Sequence, residues 1–116
     1  MSIVSGPSNV IGLEVPVPAS LIRYRTHPDR ADANARLIEA VFAELAATRP
    51  DGVRYTAVRA PDATFYHLVR TDDDDLSKVI PSLAAFKEFQ ANIRERCVEP
   101  PQPMQVTIIG DYGTRR

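Results

Sequence analysis

The chain has 116 residues, 44% hydrophobic and 25% charged, with a formal net charge of -1. The length fits one domain with a single core, and the composition is that of a globular protein rather than a disordered or fibrous one. The small net charge gives no long-range attraction to nucleic acid or a membrane, so we expect neither as a partner. The one cysteine, Cys97, cannot form an intramolecular disulfide, and with two histidines it offers no all-protein zinc cluster.

Residues 1–18 are predicted to form an N-terminal arm, followed by the domain at 19–113 and a short tail at 114–116. Glycines and prolines interrupt the apolar residues of the arm, and no basic residue precedes them, so we expect no signal peptide. The arm is expected either to lie along a groove or a partner subunit, or to be an unstructured tail. No apolar run reaches the length of a membrane span, and the expected location is cytoplasmic.

Alternating side chains predict the first strand over residues 20–26, with Leu21 and Arg23 on one face and Ile22 and Tyr24 on the other. A helix is predicted next, ending at residues 49–52. Its apolar residues recur at helical spacing and form one stripe, made of Leu37, Ile38, Val41, Phe42 and Leu45.

Residues 53–59 and 64–71 are rich in β-branched and aromatic side chains and are separated by a short turn, which predicts a hairpin. The acidic run 72–75 is expected to be a solvated loop or the start of a helix near Leu76.

A second main helix is predicted from Pro81, because Leu83, Phe86, Phe89 or Gln90, Ile93 and Cys97 recur at helical spacing. The proline-rich residues 99–103 are expected to end this helix. The last strand is predicted over residues 104–109.

The order of these elements, β-α-β-β-α-β, predicts an α+β ferredoxin-like fold, an antiparallel sheet with its helices on one face. The second face of the sheet also carries apolar residues: Leu68 lies opposite Phe65 and Val69 in the third strand. Apolar side chains on both faces need cover, and a second copy of the same sheet would supply it. We therefore expect a homodimer formed through the sheet face.

Several segments carry a resemblance to a known family. They are LIRYRTHPDRADA at 21–33, LIEAVFAELA at 37–46, the hairpin GVRYTAVR and TFYHLVRTD at 52–59 and 64–72, and SLAAFKEFQANI at 82–93. Over residues 20–112 the chain resembles the antibiotic biosynthesis monooxygenase-like proteins of the dimeric α+β barrel superfamily. The resemblance implies a dimeric α+β barrel that binds a small hydrophobic or aromatic molecule between helices and sheet.

The chain also departs from that family. Its third strand, TFYHLVRT, lacks the acidic residue and the tryptophan that members commonly carry, and no histidine precedes the second helix. A shared fold does not by itself imply a shared activity. The departures favour the alternative that the chain is a non-catalytic dimerisation or ligand-sensing module.

His67 is the candidate catalytic residue, because an imidazole within an apolar strand can serve as a base near neutral pH. Its alternative role is a core histidine that bonds to a backbone carbonyl or a tyrosine. Tyr24, Tyr55 and Tyr66 are candidate ligand-binding residues from three strands, with ordinary sheet packing as the alternative.

Arg23 is a candidate for holding an anion together with other strand arginines, and its alternative is an ion pair with a neighbouring carboxylate. Phe86 and Phe89 are expected to form the core or the apolar wall of a ligand cavity. The function predicted from these residues and the resemblance is small-molecule binding, with oxygenation of an aromatic substrate as its chemistry. We expect no metal or flavin cofactor.

Overall fold

Four strands form one antiparallel sheet in the computed structural model, which describes residues 17–113 of the chain. The strands lie side by side in the order β2-β3-β1-β4, and every adjoining pair is antiparallel. This order confirms the predicted α+β, ferredoxin-like sheet. Residues 1–16 of the predicted arm and the predicted tail at 114–116 lie outside the described residues. The strand bounds are β1 Val17–Thr26, β2 Val53–Arg59, β3 Thr64–Thr71 and β4 Cys97–Ile108.

The helices between the strands differ from the prediction in one respect. The first, α1 (Ala31–Thr48), is a single helix as expected. The second is three short helices instead of one: α2 (Val79–Ser82), α3 (Ala84–Gln90) and α4 (Ile93–Arg96). No helix within residues 17–113 is long and apolar enough to cross a lipid bilayer.

Backbone conformation explains why the second helix is divided. Leu83 is extended at φ -69° and ψ 138°, and Ala91 is extended at φ -64° and ψ 127°. Asn92 then adopts the left-handed conformation at φ 62°, which asparagine tolerates better than most residues. The apolar spacing therefore identified the buried Leu83, Phe89 and Ile93 and the partly buried Phe86. It could not reveal the breaks between the helices, and it was wrong for Cys97, which begins β4.

The proline-rich residues were also predicted wrongly. Instead of ending a helix, Pro100, Pro101 and Pro103 lie within β4, which begins at Cys97. A strand at the edge of a sheet has a neighbour on one side only, so it tolerates residues that cannot donate a backbone hydrogen bond. The register of β4 against β1 shifts between Arg23 and Thr26, beside these prolines.

The core lies between the helices and one face of the sheet. Tyr24 and Phe65 are at its centre, each 1% exposed, with their rings stacked at a centroid distance of 5.4 Å. Helix α1 contributes Val41 and Ile38 to this core. The predicted alternation in β1 is confirmed, because Tyr24 faces the helices while Arg23 faces the other way, towards Glu99 of β4.

The opposite face of the sheet carries apolar side chains that no described helix covers. Leu21 of β1 pairs in register with Leu68 of β3 and with Met104 of β4, so one apolar row crosses three strands. Met104 is 59% exposed, and Val58 of β2 is 52% exposed. We call these residues, Leu21, Val58, Leu68 and Met104, the open face.

The acidic run after β3 forms a capped turn. A 3₁₀ helix spans Asp74–Lys78, and the Asp73 carboxylate accepts a hydrogen bond from the Leu76 backbone N–H at 3.3 Å. Gly52 lies against this turn at φ +80°, and a Cβ there would come within 2.6 Å of the Leu76 side chain. A glycine at this position therefore lets the turn pack closely beside the start of β2.

Candidate functional site

A cavity of about 400 Å³ lies between the inner face of the sheet and the segment that contains helices α2 to α4. That volume is within the range of sites for small organic molecules. The helices and the turn before them supply much of the apolar wall, and the sheet supplies its buried polar groups. Lining residues include Ile22, Val69, Leu76, Ile80, Phe86, Phe89 and Ile93, with Tyr24, Tyr55 and His67 as aromatic polar groups.

His67 is at the centre of the polar wall, and it is only 4% exposed. Its Nε2 lies 2.9 Å from the Tyr24 hydroxyl, and its Nδ1 lies 2.6 Å from the Tyr55 hydroxyl. Both ring nitrogens are therefore engaged by tyrosines.

Strand register explains why these three side chains meet. His67 is on β3, between β1 and β2, and pairs with Ile22 on one side and Ala57 on the other. Tyr24 and Tyr55 lie two residues from those partners, and side chains two residues apart share a face of the sheet. Each tyrosine is thus a diagonal neighbour of the histidine.

Two further residues extend the network, and the sequence analysis missed both. Asn34 of α1 donates its amide Nδ2–H to the Tyr24 hydroxyl at 2.9 Å, and its Oδ1 accepts from Nε of Arg96 at 3.0 Å. Asn34 is fully buried, and Arg96 is 6% exposed. Arg96 also donates to the backbone carbonyls of Phe89 and Ala91.

Burial determines the protonation of these groups. It lowers the pKa of His67 from 6.5 to about 4, so the imidazole is neutral at pH 7. It raises the pKa of Tyr55 to about 12. Burial also raises the pKa of Tyr24, although the hydrogen bond from Asn34 acts in the opposite direction. Burial lowers the pKa of Arg96, yet a guanidinium stays protonated in proteins, so Arg96 carries the charge of the network.

Aromatic rings hold the network in place. The ring of Phe89 lies 5.5 Å from that of His67 and 5.7 Å from that of Phe86, measured between centroids. Phe42 packs against the ring of Tyr55 at 4.8 Å. These ring contacts surround the tyrosine and histidine side chains, and a wall that is packed before binding costs less to order around a ligand.

The structure brings five of the predicted site residues to this cavity and places two elsewhere. Tyr24, Tyr55, His67, Phe86 and Phe89 all line it.

Tyr66 and Arg23 lie in register with each other on the opposite face of the sheet, outside the cavity. Arg23 forms an ion pair with Glu99 at 2.6 Å, which is the alternative that the sequence offered for the strand arginines.

Three other strand arginines are also paired. Arg25 shares Glu99 with Arg23, and Arg59 meets Asp32 at 3.0 Å. Arg70 lies 3.7 Å from Asp111. In the described part of the chain, no group of three or more histidine, cysteine or carboxylate side chains is arranged to hold a metal ion.

No protein-family model matches the sequence, and no curated protein matches it. Solved structures do match the fold. A structure from Bacteroides thetaiotaomicron, provisionally named an antibiotic biosynthesis monooxygenase, is 15% identical, with a TM-score of 0.70 over 85% of this chain and 95% of its own. A Caulobacter crescentus structure with the same provisional name is 15% identical, with a TM-score of 0.67 over 82% of this chain and 92% of its own.

A third match is the protein Rv0793 of Mycobacterium tuberculosis. It is 17% identical, with a TM-score of 0.67, and the match covers 84% of this chain and 99% of that one. Each match therefore covers most of this chain and nearly the whole of the other protein. At these identities the likeness shows the fold, and it confirms the resemblance of fold noted in the sequence.

Proposed function

From the fold that this chain shares with structures provisionally named antibiotic biosynthesis monooxygenases, we propose that it binds a small aromatic molecule in the cavity beside His67. The single observation that carries the proposal is the make-up of the cavity wall. The wall around this space of about 400 Å³ is mostly apolar, and its buried polar group is the His67 imidazole between two tyrosine hydroxyls. Less buried polar residues, among them Arg70, Asp74 and Gln90, also line it. Ligand sites combine an apolar wall with a few polar groups that orient the ligand in this way.

Oxygenation of that molecule is the chemistry we propose for the site. An aromatic substrate that loses a proton becomes electron-rich enough to reduce O₂ itself. Where a CH₂ group between aromatic rings is converted to a carbonyl, one oxygen atom enters the product and the other leaves as water. The reaction balances with O₂ as the only co-reactant. An apolar wall would help by excluding bulk water from the reactive anion.

The role predicted for His67 from the sequence is that of the base. A pKa of about 4 makes the neutral imidazole a weak proton acceptor, and both of its nitrogens already have partners. Orientation of Tyr55 by His67 therefore has stronger support than proton removal. The base role stays a prediction that the next experiment tests.

Oxygen uptake with a panel of phenols, quinols and anthrone-like substrates tests the proposal. We expect uptake by the wild-type chain and its loss in His67→Ala. Tyr66→Phe is the matched control, because it alters an aromatic residue of the same strand on the opposite face, and it should retain activity. Ligand binding without any uptake by the wild type would contradict oxygenation.

The second candidate function is ligand sensing without chemistry. It is favoured by the same two contacts at His67, because they leave no free imidazole nitrogen for a reacting group. Binding of aromatic molecules would then change stability or assembly without consuming oxygen. The uptake assay and a binding assay on the same compounds separate the two functions.

We also propose that two chains pair through the open face. Leu21, Leu68, Met104 and Val58 lie on one surface of the sheet, and a second copy related by a two-fold axis would remove them from water. Burial of apolar surface contributes about 25 cal/mol per Å², which favours covering a surface of this kind.

A further inference from the structure

A continuous chain of hydrogen bonds runs from helix α4 through the core to the cavity wall. Arg96 Nε meets Asn34 Oδ1 at 3.0 Å, and Asn34 Nδ2 meets the Tyr24 hydroxyl at 2.9 Å. The Tyr24 hydroxyl meets His67 Nε2 at 2.9 Å, and His67 Nδ1 meets the Tyr55 hydroxyl at 2.6 Å. The chain thus has a buried cation at one end and a cavity-lining phenol at the other.

The Arg96 cation determines which atom donates in each hydrogen bond of this series. Arginine can only donate, so the oxygen of the Asn34 amide must face Arg96 and its NH₂ must face Tyr24. The Tyr24 oxygen accepts that bond, and its own hydrogen is then directed to Nε2 of His67, the remaining partner. His67 therefore carries its proton on Nδ1 and donates it to Tyr55.

The opposite direction would leave a buried hydrogen without an acceptor. If His67 donated from Nε2, the Tyr24 oxygen would face two donors, and its own hydroxyl hydrogen would have no partner among the described residues. Tyr24 is 1% exposed, so water could not readily replace that partner. A buried donor without an acceptor costs about 1–3 kcal/mol, which selects the first direction.

The last link leaves the Tyr55 hydroxyl hydrogen available. Its oxygen accepts from His67, and within residues 17–113 the hydroxyl has no second hydrogen-bond partner. Tyr55 lines the cavity, so a ligand can receive this hydrogen. Every donor in the series points away from Arg96. Among residues 17–113, no carboxylate pairs with the Arg96 charge. Hydrogen bonds that run in one direction in such a series strengthen one another.

We infer that Tyr55 is a hydrogen-bond donor to the ligand, and that the cavity selects molecules that place an acceptor oxygen there, either a carbonyl or a phenolate. Asn34 and Arg96 are positioning residues, since they act on the ligand only through Tyr24, His67 and Tyr55. The inference rests on the proposed function, because it names the class of ligand for the same cavity.

The substitution Asn34→Asp should exchange donor and acceptor in each hydrogen bond between residue 34 and Tyr55. A carboxylate accepts at both oxygens, so it would take hydrogen bonds from Arg96 and from the Tyr24 hydroxyl. The Tyr24 oxygen would then accept from Nε2–H of His67, and Nδ1 would accept from Tyr55. The Tyr55 oxygen would face the cavity as an acceptor. Asn92→Asp is the matched control, since it makes the same change at an exposed position that takes no part in this series of hydrogen bonds.

The first measurement is the tautomer of His67 by nitrogen-15 NMR of the full chain, assigned with the variant His27→Gln. We expect the proton on Nδ1 in the wild type and in Asn92→Asp, and on Nε2 in Asn34→Asp. A wild-type His67 protonated on Nε2 overturns the inference, and that result needs no variant to fold. An unchanged Nδ1–H tautomer in a folded Asn34→Asp variant overturns the role of Asn34.

The second measurement compares two probes of similar size, 1-tetralone, which can only accept, and indole, which can only donate. We expect the wild type and Asn92→Asp to favour tetralone by about tenfold in Kd, and Asn34→Asp to favour indole by a similar factor. A Kd ratio that is the same in all three proteins overturns the selection of acceptors.

If neither probe binds the wild type, the proposed binding of aromatic molecules is wrong. The ligand class inferred from that binding is then wrong as well. The tautomer of His67 still decides the direction of the hydrogen-bond chain in that case. The two failures are therefore distinguishable.

Discussion

The Tyr55 hydroxyl lies 2.6 Å from Nδ1 of His67, and this short contact joins β2 to β3 at the wall of the cavity. It links a side chain that a ligand can reach to a chain of buried groups that ends at Arg96. Because of this link, changes far from the cavity are expected to alter what the cavity binds.

The substitution Tyr55→Phe should weaken ligand binding while leaving the fold intact. It keeps the ring that packs against Phe42 and removes the hydroxyl. Nδ1–H of His67 loses its acceptor as well, so we expect a loss of about 1–3 kcal/mol in the free energy of unfolding without a change of fold. Loss of one hydrogen bond of about 1.4 kcal/mol corresponds to a roughly tenfold higher Kd for 1-tetralone, measured by calorimetry. Tyr66→Phe removes a hydroxyl outside the cavity and should leave Kd unchanged. Equal affinities for Tyr55→Phe and wild type would contradict the assignment.

The substitution Tyr24→Phe should destabilise the folded chain. Its hydroxyl is the partner of both Asn34 Nδ2 and His67 Nε2, and both would lose it within the core. At about 1–3 kcal/mol for each unpaired buried group, we expect a loss of about 3 kcal/mol in the free energy of unfolding. Urea denaturation measures this loss, with Tyr112→Phe, at an exposed position, as the control. A loss no larger than that of the control would show that the network contributes little.

Acid should destabilise the chain through His67. Its pKa is about 4 in the folded state, below the ordinary 6.5, so between these values the unfolded chain binds a proton that the folded chain does not. The free energy of unfolding therefore falls as pH falls through this window, and the contribution present above it amounts to about 3 kcal/mol.

Urea denaturation at about pH 7.5 and about pH 4 measures this dependence in the wild type and in His67→Gln. Carboxylates titrate in both proteins, so the difference between the two curves isolates the histidine. We expect a smaller loss on acidification in His67→Gln. Parallel curves would show that burial of the imidazole is not linked to stability.

A charge in the open face should separate the proposed dimer. Leu68 is half-buried in one chain and lies next to Leu21 across the sheet, so Leu68→Glu would place a carboxylate within the interface. Light scattering should report a dimer for the wild type and a monomer for Leu68→Glu, with unchanged circular dichroism. Ala47→Glu, on the exposed side of α1, is the control and should remain dimeric. A monomeric wild type would refute pairing through this face.

Local patterns in the sequence were sufficient for β2, β3 and α1, for most of β1 and for the last part of β4. Two-residue alternation also determines which of the candidate site residues share a face of the sheet. Tyr66 follows directly before His67, and Arg23 directly before Tyr24, so each must point to the opposite face of its strand from its neighbour. Alternation alone would have separated Tyr66 and Arg23 from the cavity residues.

Other features depend on contacts between distant parts of the chain. The pairing of Asn34 with Arg96 joins residues 62 positions apart, and no local pattern predicts it. One signal was present, because Asn34 precedes Ile38 and Val41 at helical spacing and so places an amide on the apolar side of α1. The first part of β4, residues 97–103, was hidden for a related reason, since its prolines are acceptable only at an edge and the strand order is not local.

The prolines of β4 have a consequence for how the sheet can associate. Pro100, Pro101 and Pro103 present no backbone N–H, and their rings obstruct the approach of another extended chain along that stretch. This stretch of β4 is thereby closed to pairing with another strand, and edge-to-edge pairing of strands is a common route to aggregation. The proposed pairing through the open face is unaffected by these prolines, whereas the addition of a further strand beside residues 100–103 is disfavoured.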